Sequence, residues 1–244
     1  MNIAVIFAGG SGTRMNSGSK PKQFLELQGK PILVYTLELF DSHPEIDAIC
    51  VSCIEPWIPY LNSLLERFHI SKVVSVVPGG ATGQDSIYNG LIAAREYALS
   101  KGCVEDAFVL VHDGVRPLIN HDTISDNIRC AKENGNCVTC IPATETFIVD
   151  NHDGTVTIPE RNASFIARAP QTFKLVDILA SHEAAIQQGK HDYIDSCTLM
   201  SSFGHKIHRI NGPVENIKIT TPTDFYLFRT FVEVRENQQI FGMI

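Results

Sequence analysis

The order of apolar runs predicts an α/β protein: a mostly parallel, Rossmann-like sheet with helices on both faces and an inserted β-hairpin arm. Three observations predict it. Short β-type runs alternate with segments of helical pattern as far as residue 141. Runs such as Phe108-Val109-Leu110-Val111 are apolar throughout, which marks strands covered on both faces. The alternation breaks at residues 147–158, where two short alternating runs flank an Asp153-Gly154 turn.

Taken in order, strands are expected at residues 3–7, 48–53, 72–77, 107–112 and 137–141. Helices are expected between them, near 32–40, 57–68, 84–99 and 123–134. After the hairpin, a helix over 176–188, a strand over 206–210 and a last helix over 223–234 complete the chain. No repeat, low-complexity segment or linker interrupts it, so one domain over 1–244 with a β-arm at about 143–169 is the economical reading. A two-stranded hairpin is marginal alone in water. The apolar residues of this one, Phe147, Ile148, Val149, Val156 and Ile158, therefore call for a packing partner. In a sheet of this kind ligands gather at the carboxyl ends of the strands, where residues 9–22 and 113–116 fall.

Composition bounds the function. The chain has 244 residues, 44% of them hydrophobic, and a formal charge of -7. The acidic balance and the lack of a Lys/Arg block argue against nucleic acid as a partner. No apolar run is long enough to span a membrane, and no leader is evident, so a cytoplasmic protein is expected. Seven cysteines, an odd number, fit a reducing compartment. Two CxxC strings, Cys50–Cys53 and Cys137–Cys140, invite a zinc reading. Both lie in β-type runs, where residues three apart face opposite ways and cannot share an ion.

The chemistry concentrates in the first loop. Ala8-Gly9-Gly10-Ser11-Gly12-Thr13-Arg14 follows the first strand directly, and Lys20-Pro21-Lys22 follows soon after. The first carboxylate of the chain is Glu26. A glycine-rich, locally basic loop in an acidic protein is placed for a phosphate chain, whose oxygens the backbone N–H groups can approach. The register excludes two common phosphate loops. A Walker A loop fails because five residues, not four, separate Gly12 from Gly18, and Ser19-Lys20 then follows. A dinucleotide fingerprint fails because Met15 stands where its third glycine belongs. Asn16 to Pro21 keep the chain irregular through Lys22, which describes a long loop able to wrap a triphosphate. An ordinary glycine turn with solvated cations is the plainer alternative.

Four further sites stand out. Asp113 directly follows a buried strand in His112-Asp113-Gly114-Val115-Arg116-Pro117. A lone Asp there serves equally as a turn residue, but beside a phosphate loop it is a candidate ligand for the Mg²⁺ that accompanies nucleoside triphosphates. Arg116 either binds phosphate or supports the loop through a carboxylate. Gly79-Gly80 precede a helix whose first turn holds Asp85 and Ser86, a segment that alone reads as a turn and N-cap. Arg161, Arg168 and Ala169-Pro170-Gln171 follow the hairpin, where solvated surface is the plain reading. Asn216-Ile217-Lys218-Ile219 reads as a strand before a helix begun by Pro222, and a Lys inside such a run needs a partner for its ammonium.

Together these motifs resemble the CTP-dependent cytidylyltransferases that act on polyol phosphates: the methylerythritol phosphate enzymes of isoprenoid synthesis and the ribitol-5-phosphate enzymes. The resemblance runs essentially end to end. It rests on Ala8-Gly9-Gly10-x-Gly12-x-Arg14-Met15, Pro21-Lys22-Gln23-Phe24, His112-Asp113-x-x-Arg116-Pro117, Arg161-Asn162, Pro170-Gln171 and Asn216-Ile217-Lys218. It implies a nucleotidyltransferase fold in which Arg14, Lys22 and Lys218 are catalytic and Asp113 helps hold Mg²⁺. The loop of Ala8, Gly9, Gly10, Ser11, Gly12 and Thr13, with Gly79, Gly80 and Ser86, would bind CTP. Arg116, Thr146, Arg161 and Lys218 would bind the acceptor's phosphate, with Thr146 and Arg161 supplied by the arm of a partner subunit in a homodimer.

Elementary chemistry agrees. A phosphate monoester attacking the α-phosphorus of CTP is already a nucleophile at neutral pH, so the reaction needs cations and alignment more than a general base. Two departures from the family pattern matter. Gly83 stands where the family usually has an Arg. Ala8-Gly9-Gly10, Gly114-Val115 and Asp195-Ser196-Cys197 differ from the usual isoprenoid-enzyme motifs and lean towards the ribitol-phosphate branch. A non-catalytic nucleotide-binding regulator is the competing class; it would be expected to lack one of Arg14, Lys22, Arg161 and Lys218, and all four are present.

Overall fold

Eleven strands and seven α-helices build the described part of the chain, which in this computed structural model comprises residues 1–10 and 20–241. The first half keeps the expected order: β1 (Asn2–Ala8), β2 (Glu26–Leu27), β3 (Lys30–Pro31), α1 (Ile32–Asp41), β4 (Ala48–Cys53), α2 (Ile58–Arg67), β5 (Val73–Pro78), α3 (Gly83–Ser100) and β6 (Phe108–Asp113). The second half comprises α4 (His121–Asn134), β7 (Asn136–Pro142), β8 (Val149–Asp150), β9 (Val156–Thr157), β10 (Phe165–Lys174), α5 (Leu175–Gln187), α6 (Ser196–Ser202), β11 (Arg209–Asn211) and α7 (Pro222–Phe241).

Seven strands form the central sheet in the order β11-β7-β10-β6-β1-β4-β5. Every pairing is parallel except those of β10, which runs antiparallel to both β6 and β7. The period of two along β1 explains the helices on both faces. Ile3 and Val5 pack with Leu91 and Ala94 of α3 and Leu175 and Ile178 of α5. Ala4 and Ile6 turn to Leu33 and Leu37 of α1, Leu61 of α2 and Ile124 of α4. The same alternation sends Cys50 into one core and Cys53 into the other, so this CxxC string presents its thiols to opposite faces. A third, smaller core joins Ile219, Phe228 and Val232 to Ile32, Val115 and Leu118, which fixes α7 beside the end of β6.

The hairpin is present, with Val149 pairing Thr157 and Asp150 pairing Val156. Its apolar residues are largely exposed: Ile148 66%, Val156 56% and Ile158 62%.

Three local expectations need correction. Arg168 and Ala169-Pro170-Gln171, whose plain reading was solvated surface, lie in the longest strand, β10. Its register shifts between Ala167 and Gln171, and that irregularity accommodates Pro170, which cannot donate to a ladder. Conversely, residues 216–219 are not a strand. They run as an irregular segment tied to the core by the Ile219 N–H, which donates to the Val115 carbonyl at 2.9 Å. A short helix unforeseen in the sequence, α6, starts where the Asp195 carboxylate accepts the Thr198 N–H at 2.8 Å, an N-cap on an otherwise weakly helical stretch.

Candidate functional site

The carboxyl ends of β6, β1, β4 and β5 lie side by side and carry two adjoining regions. The first is a glycine ledge. The Gly79 N–H donates to the Cys53 carbonyl at 2.7 Å, which holds the β5–α3 turn to the end of β4. A Cβ on Gly79 would lie 3.1 Å from Gly9 Cα, and one on Gly9 would lie 2.5 Å from Ser86 Oγ. Only bare backbone lets the two turns meet. Ser86 braces this ledge: its hydroxyl accepts the Gly80 N–H at 3.0 Å and donates to the Thr82 carbonyl at 2.9 Å. Thr82 and Asp85 form a capping box at the start of α3. Gln23, almost wholly buried, donates to the Ala8 carbonyl at 2.6 Å and so anchors the start of the loop. Lys22 sits beside it in a short 3-10 turn. Ser11, Gly12, Thr13 and Arg14 lie outside the described residues.

The second region is a cavity of about 330 Å³ next to the ledge, walled by Phe7, Gln84, Arg168, Gln171 and Tyr193 among others. Its most charged corner is built on Asp113, whose carboxylate is buried at the end of β6. Arg116 Nε donates to Asp113 Oδ2 at 2.7 Å, and Lys218 Nζ lies 2.5 Å from Oδ1. Arg116 therefore supports the loop through a carboxylate. Arg168 lines the same cavity. Two cations thus meet the carboxylate and a third stands in the same cavity wall, in a protein of net charge -7. Burial alone would raise the Asp113 carboxyl, but Arg116 and Lys218 beside it hold it well below the usual carboxylate range.

Backbone acceptors fix this corner. Arg116 Nη1 donates to the Asn216 carbonyl at 3.0 Å, Asn216 Nδ2 donates to the Ala169 carbonyl at 2.7 Å, and Arg168 Nη1 donates to the Val214 carbonyl at 2.8 Å. The segment carrying Lys218 is thereby tied to β6 and β10 at once. Beneath it, burial pushes the His112 imidazole down to about 4 despite the neighbouring Asp113 charge. The ring is neutral at pH 7, and its Nε2–H donates to the Arg116 carbonyl at 3.2 Å.

The structure thus brings Asp113, Arg116 and Lys218 together and joins Gly9, Gly79, Gly80 and Ser86 in the neighbouring ledge. Thr146 and Arg161 are exposed on the arm and do not line the cavity of their own chain. Of the wall residues, Gln84 and Tyr193 escaped the sequence reading; Arg168 and Gln171 stood out there only with solvated surface as their plain reading, and Asp195 only as a departure from the family motif. The signal for Arg168 and Gln171 was their place in the Arg-Ala-Pro-Gln run, which closes the cavity once β10 lies beside β6.

The chain matches the family model described as IspD, 2-C-methyl-D-erythritol 4-phosphate cytidylyltransferase, over residues 2–233. It belongs to the IspD family of cytidylyltransferases. Ribitol-5-phosphate cytidylyltransferase of Streptococcus agalactiae serotype III is 51% identical over 244 residues, covering 100% of both chains. The ribitol-5-phosphate cytidylyltransferase of Vibrio parahaemolyticus is 49% identical over 99% of this chain and 100% of its own. A 2-C-methyl-D-erythritol 4-phosphate cytidylyltransferase of Clostridium botulinum is 37% identical over 95% of this chain and 97% of its own. Among solved structures, 4-diphosphocytidyl-2C-methyl-D-erythritol synthase of Anaerococcus prevotii superposes with a TM-score of 0.78 at 25% identity, covering 95% of this chain and 96% of that one. As an IspD-family member the chain is an enzyme, a nucleotidyltransferase with a family fold extending nearly end to end. No helix among the described residues is long and apolar enough to cross a membrane.

Proposed function

We propose that this cytidylyltransferase transfers the cytidylyl group of CTP to D-ribitol 5-phosphate, forming CDP-ribitol and pyrophosphate. The observation that carries the reading is the charged corner of the cavity: Arg116 and Lys218 on one buried carboxylate, with Arg168 in the same wall, beside a glycine ledge suited to a nucleotide. The near-50% identity to ribitol-5-phosphate cytidylyltransferases over whole chains supports the choice of acceptor.

In this reading CTP lies along the ledge and the loop of residues 8–22, and the acceptor lies in the cavity with its phosphate at the cations. An acceptor phosphate oxygen forms a bond to the α-phosphorus while the bond from that phosphorus to the β-phosphate bridging oxygen breaks. Pyrophosphate carries away the electron pair. Lys22, Arg14 and Lys218 offset the negative charge gathered at the phosphorus, and no residue need remove a proton from a phosphate dianion. Arg116, held by Asp113 and Asn216, keeps the corner rigid.

Asp113 fits a role in holding Mg²⁺. A single carboxylate suits an ion that takes one or two carboxylates and completes its shell with phosphate oxygens and water. Oδ2 is held by Arg116, while among the described residues Oδ1 faces the ammonium of Lys218, on a flexible stem, so Oδ1 is the oxygen available to the ion. The ion, when bound, would neutralise triphosphate charge.

The arm completes a neighbouring site in this reading. Its exposed apolar side chains pack on a second copy of the chain, and Thr146 and Arg161 reach that copy's acceptor phosphate. The second acceptor to weigh is 2-C-methyl-D-erythritol 4-phosphate, which the family model and the Clostridium relative name. Pyrophosphate release from CTP and Mg²⁺ with a panel of polyol phosphates tests both. D-ribitol 5-phosphate is expected to give the highest kcat/KM; preference for the methylerythritol compound would overturn the choice of acceptor.

A further inference from the structure

Behind the cavity, between α3, α5 and α6, lies a small niche of about 10 Å³ that shares Gln84, Ile87, Tyr193, Asp195 and Ser196 with the cavity wall. Most polar groups around it are committed. Gln84 Nε2 donates to the Lys190 carbonyl at 3.0 Å and its Oε1 accepts the Tyr193 N–H at 2.9 Å. Asp195 caps α6 and accepts Gln171 Nε2 at 3.2 Å. Three buried atoms are not committed: Ser196 Oγ and both ring nitrogens of His182 have no hydrogen-bond partner among the described residues. Ser196 is 3% exposed and His182 1%, so solvent at the surface does not serve them. An unpartnered buried polar atom is expensive, and Ser196 and His182 lining one niche point to a shared occupant.

We infer that this niche is a specificity site that receives one hydroxyl of the acceptor's polyol chain, held between Ser196 and His182. The inference rests on the acceptor reading above. Size and chemistry narrow the occupant. The space admits a group the size of one water molecule and nothing larger. Burial pushes the His182 imidazole down to about 4, against the pull of Asp85, so near pH 7 the ring offers one N–H donor and one acceptor nitrogen. Ser196 also donates and accepts. A hydroxyl, which does both, can pair with Ser196 Oγ and with whichever ring nitrogen of His182 faces the niche. A methyl group would leave all three atoms unpaired, and an anion would meet the Asp195 carboxylate in the wall. The site therefore selects a hydroxylated carbon over a methylated or deoxygenated one at a single position of the chain.

The test uses the full-length enzyme with D-ribitol 5-phosphate and a set of analogues that each lack one hydroxyl. For the wild type, one analogue should show a kcat/KM about tenfold or more below the parent. Ser196→Ala should lose about tenfold in kcat/KM on the parent, lose nothing further on that one analogue, and leave the KM for CTP unchanged. His182→Asn should give the same pattern, with thermal melts verifying that both variants fold. Equal proportional losses on every acceptor, or no analogue that stands out with the wild type, would make the niche a structural water site and overturn the inference. Turnover of ribitol phosphate by the wild type would meanwhile leave the proposed function standing. Failure of the wild type on every polyol phosphate would overturn both.

Discussion

The end of β6 and the arm between β7 and β10 treat their side chains in opposite ways. At the end of β6, Asp113 is buried and meets two cations, and Arg116 and Asn216 donate to the backbone carbonyls of Asn216 and Ala169. On the arm, apolar side chains such as Ile148 and Ile158 are more than half exposed, and the polar contacts are local ones such as Asn151 with Thr155. The Asp113 charge of the first region is paired within one chain; the second region has no internal reason to keep its apolar residues outside. The difference separates a charged corner whose order comes from the fold from a segment whose order comes from what it docks on.

The largest effect should come from a variant pair that spans both regions. Lys22→Ala and Arg161→Ala should each lower kcat by about 10²–10³-fold, the scale of one preorganised charge-stabilising donor. If the arm serves a partner's site, mixing and reassembling the two variants restores one intact site in each mixed dimer. A one-to-one mixture then regains about a quarter of wild-type activity. Subunit exchange demonstrated by mass, without recovery of turnover, would assign Arg161 to its own chain or to no site.

Next in size is Asp113→Ala. Removing one partner of a buried ion pair usually costs about 3–5 kcal/mol, and the low end, about 3 kcal/mol, is expected here because the Lys218 side chain is 39% exposed and can turn to water. Denaturant unfolding reads it. Asp113→Asn, which keeps the shape, should instead raise the Mg²⁺ concentration needed for half-maximal turnover; identical Mg²⁺ titrations would return Asp113 to a purely structural role.

A third effect follows from His112 and His182, both pushed down to about 4 by burial. Their ordinary value is 6.5, so between the two values the unfolded chain binds protons that the folded chain does not. Stability therefore falls as pH drops through this window, by on the order of 2 kcal/mol per histidine between pH 7 and 5. Asp113 does not offset this: a depressed carboxyl loses its contribution only at lower pH. His112→Phe should flatten the slope by about half. An unchanged slope would show that His112 titrates normally and that the corner is more open than its burial implies.

The same contrast explains what the sequence discloses. Strands such as β4, with Ala48 to Cys53 all buried, announce themselves because both faces need apolar cover. β10 does not, because Arg168 and Pro170 interrupt its pattern where it borders the cavity, and a function-bearing irregularity reads as a loop. Residues 216–219 mislead in the other direction. They alternate like a strand because Ile219 enters the core and Lys218 turns towards Asp113, although no neighbouring strand pairs with them. The motifs around Asp113, Arg116 and Lys218 were legible one by one. Their contact was not, since Asp113 and Lys218 are joined only by the docking of the segment before α7. The niche left only a partial signal: Ser196 stands in a departure from the family motif, but nothing in the sequence pairs it with His182, because the niche arises where three helices leave a gap.

The smallest effect on the fold, and the sharpest on the comparison, belongs to the arm. Replacing Ile148 and Ile158 with Ser removes apolar groups that are already 66% and 62% exposed. Surface changes of this kind usually alter the stability of a chain by no more than about 0.5 kcal/mol. If a second copy covers these residues, the variant should run as a monomer in sedimentation where the wild type runs as a dimer, and its melting temperature should lose its dependence on protein concentration. Turnover should fall with the dimer, because Thr146 and Arg161 leave the neighbouring site with the arm. A variant that stays dimeric, or that melts far lower at every concentration, would mean that the arm packs on its own chain and that the two regions differ less than their exposure indicates.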